Sequence, residues 1–216
     1  MHSRRKFVQG GLAASALATC PLTARIALAD ARLVESHQIF KVIFDQTLAA
    51  GALFEVEAVG RGASALAIGD DAGSVWMNAI EPRWKLGPEH GPAAVAGLTG
   101  RASLFCLELL ARDYGMGVVY RAEHAPAADG SVLHVITAPG QLSEWESRLN
   151  AAGKHWGAVA AAMALSCPAA LLADPGIDLL DPAQPSRVAG PSLFSWVIAP
   201  TKGSAILGGG LPITRG

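Results

Sequence analysis

The sequence predicts an α/β fold, a doubly wound and mostly parallel sheet with helices on both faces. Three observations predict it. Short, continuously apolar runs recur from residue 40 to residue 120, which suits strands buried on both faces. Segments with helical spacing lie between them, as parallel neighbours require, because only a crossover returns the chain to the same end of the sheet. Polar residues gather where each apolar run stops.

The first run covers 40–44, ends in Asp45 and Gln46, and is followed by a helix over 47–59 with Leu48, Leu53 and Val56 at helical intervals. The second covers 63–68, closes on Gly69, Asp70 and Asp71, and leads into a helix over 72–84 whose apolar face carries Val75, Trp76, Ala79 and Ile80. A third run, 93–98, turns through Thr99, Gly100 and Arg101 into an apolar helix over 103–114, punctuated by Gly115 and Gly117. The fourth opens at 118–120 and runs into Arg121, Ala122, Glu123 and His124.

Beyond a loop at 125–130, residues 131–137 read as a fifth strand, and 141–165 as one long helix with Ser143 and Glu146 at capping-box spacing. Five prolines in 167–191 mark a wrapping segment, 193–199 a last strand, and the glycines from 203 onward a flexible tail. The fifth and last strands are expected to be antiparallel and to lie at the sheet edge.

Composition narrows the function. The 216 residues are 51% hydrophobic and only 16% charged, enough for a packed core. Four of the 17 basic residues fall within the first 29 positions, so residues 30–216 hold 13 basic against 18 acidic groups, a net charge of −5. That balance supplies no basic face for nucleic acid. Of Cys20, Cys106 and Cys167, the second falls in an apolar helical run, where a buried free thiol is the expected state.

The first 29 residues have the layout of a targeting segment. Ser3, Arg4, Arg5, Lys6, Phe7 and Val8 precede a weakly hydrophobic stretch of Ala and Gly over 11–22, too short to span a bilayer. Arg25 follows, and Ala27, Leu28 and Ala29 form an Ala-x-Ala cleavage site. This segment resembles the twin-arginine (Tat) signal peptide of exported bacterial proteins. The resemblance implies passage of a folded chain through the Tat translocase, release into the periplasm, and one mature domain over 30–216. A competing reading makes Leu17, Ala18, Thr19 and Cys20 a lipobox, with Cys20 tethering the protein to the membrane. No apolar run of spanning length follows the signal, so no integral membrane segment is expected in the mature chain.

In an open parallel sheet, ligands sit beyond the carboxyl ends of the strands. Those ends nominate Asp45, Glu123 and His124 for acid/base work, since an imidazole beside a carboxylate can exchange protons near neutral pH. Thr99, Arg101, Ser103 and Asp70 are the candidates for ligand binding, because a helix amino terminus with an added guanidinium attracts a carboxylate or phosphate. Local capping competes with each of these roles: Asp45, Asp70, Asp71, Thr99 and Ser103 all stand where helix caps and turns stand. Glu123 and His124 are taken together as an acid/base pair, although neighbours along a strand alternate faces and a solvated loop pair is the competing reading. His37, His90, His134 and His155 lack metal-ligand spacing, and no metal site is expected. Trp76, Trp84, Trp145 and Trp156 read as core.

Several chemistries are disfavoured. Residues 44–48 are similar to the nucleophile motif of haloacid-dehalogenase-type phosphatases, but Thr47 replaces its second aspartate. Neither a Gly-x-Ser-x-Gly elbow nor a Gly-x-Gly-x-x-Gly after the first strand occurs. A Cys-x-x-Cys-His haem motif is also missing. Two functions fit what is left: binding or turnover of a small anionic or carboxylate-bearing molecule at the strand ends, and an accessory subunit or assembly factor for an exported redox partner.

Overall fold

The computed structural model describes residues 38–86, 94–137, 143–167 and 190–201, all within the compact unit Glu35–Gly216. The signal segment, His37, His90, the prolines of 168–189 and the glycine tail lie outside the described residues.

The fold is α/β, as the alternation of runs requires. The elements are β1 (Ile39–Asp45), α1 (Ala49–Gly60), β2 (Ala65–Ile68), α2 (Ala72–Val75), a π-helical turn (Trp76–Ile80) and α3 (Glu81–Lys85). Then come β3 (Ala94–Gly100), α4 (Arg101–Arg112), β4 (Met116–Pro126), β5 (Val132–Thr137), α5 (Ser143–Ala151), a 3-10 turn (Gly153–His155), α6 (Trp156–Leu165) and β6 (Leu193–Pro200). They build a six-stranded sheet in the order β2-β1-β3-β6-β4-β5.

β1 pairs in parallel with β2 and β3; β6 runs antiparallel to both β3 and β4, and β5 is antiparallel to β4. Four strands, β1 to β4, therefore point the same way. The C-terminal strand is antiparallel as expected, but it lies in the middle of the sheet and separates β3 from β4.

Helices cover both faces. On one, α1, α5 and α6 pack Phe54, Ala58, Leu149, Trp156, Ala160 and Met163 over Val42, Phe44, Leu98, Tyr120 and Val197. On the other, the α2–α3 segment and α4 pack Trp76, Ile80, Trp84, Leu104 and Leu107 over Ile43, Val95, Val118 and Trp196. Trp196 is fully buried; its indole lies against Gly97, where a Cβ would come within 2.4 Å of the ring, and donates a hydrogen bond to Thr99 Oγ1 at 3.0 Å.

Two predicted helices are interrupted. The segment 72–84 carries a π turn just before Pro82, whose ring nitrogen has no hydrogen to donate and whose bulk pushes the preceding turn open. The predicted helix over 141–165 breaks into α5 and α6 at Gly153, which takes a φ of +51° that a side chain would resist. Cys106 also departs from expectation: it is exposed on the outer stripe of α4, while Cys167 is buried, and both are free thiols.

Candidate functional site

Strand order alone locates a topological switch point. From β1 the chain crosses outward to β2, then back over β1 to β3, so the connections diverge between the carboxyl ends of β1 and β3. Here α1 follows β1 onto one face and α4 follows β3 onto the other.

Both helices begin without a side-chain cap. Leu48 is the N-cap of α1 and Gly100 that of α4; neither side chain can accept a hydrogen bond from the first turn, and neither first turn contains an acid. Each is a helix of 12 residues, long enough for a developed dipole. Glycine fixes the position of α1: a Cβ on Gly51 would lie 1.8 Å from the Asp45 carbonyl oxygen, so only glycine lets the first turn settle on the end of β1. Arg101, the first residue of α4, is exposed at this rim.

The candidates nominated from sequence fare differently. Asp45 Oδ1 accepts from the Thr47 amide at 2.9 Å and from its hydroxyl at 2.6 Å, an Asx turn that shapes the loop into α1. Thr99 is fully buried and serves as acceptor for Trp196, so it caps nothing. Ser103 is half-buried in the first turn of α4, and Asp70 is exposed at the end of β2. Its neighbour Asp71 is the cap of α2, accepting from the Ser74 amide and hydroxyl, and the hydroxyl bond first of all holds its carboxyl below the usual range.

Glu123 and His124 do not join this rim. The register places Thr99 and Glu123 opposite the same residue, Phe194, with β6 between them. Asp45, on the far side of β3, is therefore three strand spacings from Glu123, roughly 14 Å. Glu123 is half-buried on the face of α4, near Arg121, whose guanidinium burial pulls below its ordinary pKa; Glu108 and Glu123 oppose that shift and Arg101 adds to it.

His124 lies on the other face, in the core. It is 1% exposed and both ring nitrogens are engaged, Nδ1 with His134 Nδ1 at 2.7 Å and Nε2 with Ser195 Oγ at 2.8 Å. Tyr120 OH completes the chain at 3.3 Å from Ser195 Oγ, and Trp156 stacks on the His124 ring at 4.3 Å. Burial, then the facing His134 ring, holds His124 well below its ordinary pKa; burial brings His134 down to about 4 and drives the Tyr120 phenol upward.

Serine, imidazole and imidazole at these distances resemble a nucleophile, its base and an orienting group. Ser195 is completely buried in the middle of the sheet, however, so this chain satisfies core polarity rather than meeting substrate. The pairing of Glu123 with His124 as one acid/base unit is thereby corrected: alternation along β4 sends them to opposite faces. Sequence reading missed His134 and Ser195. The signal for His134 was present, because a hairpin turning about Asp129 sets residue 124 opposite residue 134.

A shallow depression of about 300 Å³ lies at the opposite rim, lined by Ile39, Arg61, Gly62, Ala63, Leu165 and Ser166. Its one charged side chain, Arg61, is already paired with Glu57, which leaves Ser166 as the other polar side chain on its lining. Among the described residues no cluster of His, Cys, Asp and Glu could hold a metal ion, and no helix is long and apolar enough to cross a membrane. No family model matches the chain, nor does any curated protein or solved structure.

Proposed function

We propose that this is a protein exported by the twin-arginine route which binds a small anionic, carboxylate-bearing or phosphate-bearing molecule between the carboxyl ends of β1 and β3. One observation carries the reading of the site: two helices with no side-chain cap and no acid in the first turn start at adjacent parallel strands, the nearby Asp45 carboxylate being engaged by Thr47. The dipole ends of the two helices favour negative charge, the Gly51 amide already being turned back to the Leu48 carbonyl, and Arg101 adds a full positive charge at the start of α4. Asp45 and Thr47 form the wall of the crevice, and Ser103 supplies a hydroxyl in the first turn of α4.

The test is calorimetric titration of the protein with inorganic phosphate and a panel of short carboxylates. R101A is expected to weaken the tightest of these about tenfold, the worth of one charge-assisted hydrogen bond. Equal affinity in R101A, or no binding by any anion, would remove the proposal.

The periplasmic destination is supported by Arg4, Arg5 and the Ala27-Leu28-Ala29 site. Replacing both arginines with lysine is expected to hold the chain in the cytoplasm. Mass spectrometry of the exported form separates cleavage after Ala29 from lipidation of Cys20.

A second reading, docking to an exported redox partner, is favoured by the α4 side of the β4–β5 hairpin. There Leu133 and Val135 are 48% and 46% exposed, with Phe105 and Leu109 exposed on α4. Co-purification lost in L133E/V135E would support it.

A further inference from the structure

We propose that the His124–His134 pair is an acid-opened latch, holding the Trp156 end of α6 against β4 and β5 only while both imidazoles are neutral. The pair is placed for this by four elements. β4 and β5 set the two rings opposite each other, β6 supplies Ser195, and α6 closes over them with Trp156, which contacts both rings at 4.3 Å and 5.5 Å.

Among the described residues, every group facing the pair is uncharged at neutral pH. Tyr120 comes from β4, Ser195 from β6, Trp145 from α5 through Tyr120, Trp156 from α6 and Cys167 from the end of α6. Among the described residues neither carboxylate nor cation acts on either imidazole; Glu123, next in sequence, is on the other face of the sheet.

The hydrogen-bond count explains how protons open it. With both rings neutral, one Nδ1–H donates across the 2.7 Å contact and the other Nδ1 accepts. A first added proton goes to His134, which then donates its Nδ1–H to His124 Nδ1 while His124 Nε2–H donates to Ser195 Oγ, so the bonds survive, but they surround a buried charge without a counter-ion. A second proton sets N–H against N–H across the same gap. Either charge is relieved by water, which enters only if Trp156 lifts.

The sign follows from both imidazoles being held below the ordinary 6.5, His134 at about 4 and His124 lowered further by its partner. The open chain then binds more protons than the closed one throughout that interval. Opening is favoured about tenfold per pH unit for each imidazole as pH falls below about 6.5.

The movement reaches beyond the latch. Gly157, next to Trp156, lies so close to α1 that a Cβ there would meet the Ala50 carbonyl oxygen at 2.3 Å. α6 therefore braces the first turn of α1, and lifting Trp156 frees that turn whether or not an anion binds there.

Hydrogen exchange of the full-length mature protein from pH 7.5 to pH 4.5, expressed as protection factors, tests the latch. We expect protection in β5, the first turn of α6 and the first turn of α1 to fall steeply below pH 6.5 in the wild type. H134Q should halve that slope, and H124Q/H134Q should abolish it in these segments alone. Equal slopes in wild type and H134Q would overturn the proposal, and so would imidazole signals in NMR that titrate near 6.5 in the closed protein. H134Q sits on the edge strand and gives the decision even if the double variant does not fold.

Discussion

The two halves of the sheet use polar residues in opposite ways. In the parallel half, β2-β1-β3, the strands are mostly apolar, Lys41 of β1 reaching out to the Ser64 hydroxyl, and most polar groups wait at the ends, where helices begin. In the antiparallel half, β6-β4-β5, polar groups enter the core itself: His124, His134 and Ser195 are all buried, linked by hydrogen bonds between strands. A parallel strand reached by helical crossovers has both faces covered, so it carries few polar groups along its length. The antiparallel half pairs neighbours directly and can match one buried donor with one acceptor across a strand gap. Polarity at a strand end thus goes with exposure at Asp70 and Arg101 in the first half, Thr99 excepted, and with internal structure in the second.

The largest effect that would sharpen this contrast falls at their junction. Trp196 on β6 is fully buried against Gly97 of β3, and W196A is expected to cost about 3–5 kcal/mol in urea unfolding, the range for truncating a buried large aromatic. A loss below 1 kcal/mol would mean that β6 does not seal the two halves together.

Next comes the buried chain. S195A removes the partner of both His124 Nε2 and Tyr120 OH and should cost about 1–3 kcal/mol, the penalty for orphaned buried polar groups. An unchanged midpoint would show that water already serves these atoms.

Thiol reactivity probes the same division without altering the core. Cys106, exposed on α4, should react with a disulfide reagent at once, whereas Cys167, buried and with its thiol pushed up to about 12, should react only on unfolding. Simultaneous labelling of both would contradict the packing of α6. The smallest change is expected on the outer surface of β5: L133E/V135E should move stability by no more than about 0.5 kcal/mol, since both side chains are about half exposed.

The parallel half was largely legible in the sequence because its evidence is local. The run 40–44 with Asp45 and Gln46, and the run 93–98 with Thr99 and Gly100, state a strand and its stop within a few residues. The position of β6 was not legible, since nothing near Leu193 says that it will insert between β3 and β4. Ser195 meets His124 across 71 residues of sequence, a contact that only the folded sheet creates. Cys106 misled because apolar neighbours in sequence were read as apolar surroundings, while the helix turns it outward. At the rim, Arg101 stands exposed at the start of α4, while the Thr99 hydroxyl turns down to Trp196 instead of capping α4.

The account rests on the rim between β1 and β3 as a seat for negative charge. Amide chemical-shift mapping of the mature protein titrated with phosphate and short carboxylates tests it most directly. The account predicts saturable shifts concentrated in Ala49, Ala50 and Gly51 of α1 and in Arg101, Ala102 and Ser103 of α4. Shifts confined to the depression around Arg61 and Ser166, or none at either helix start, would contradict it.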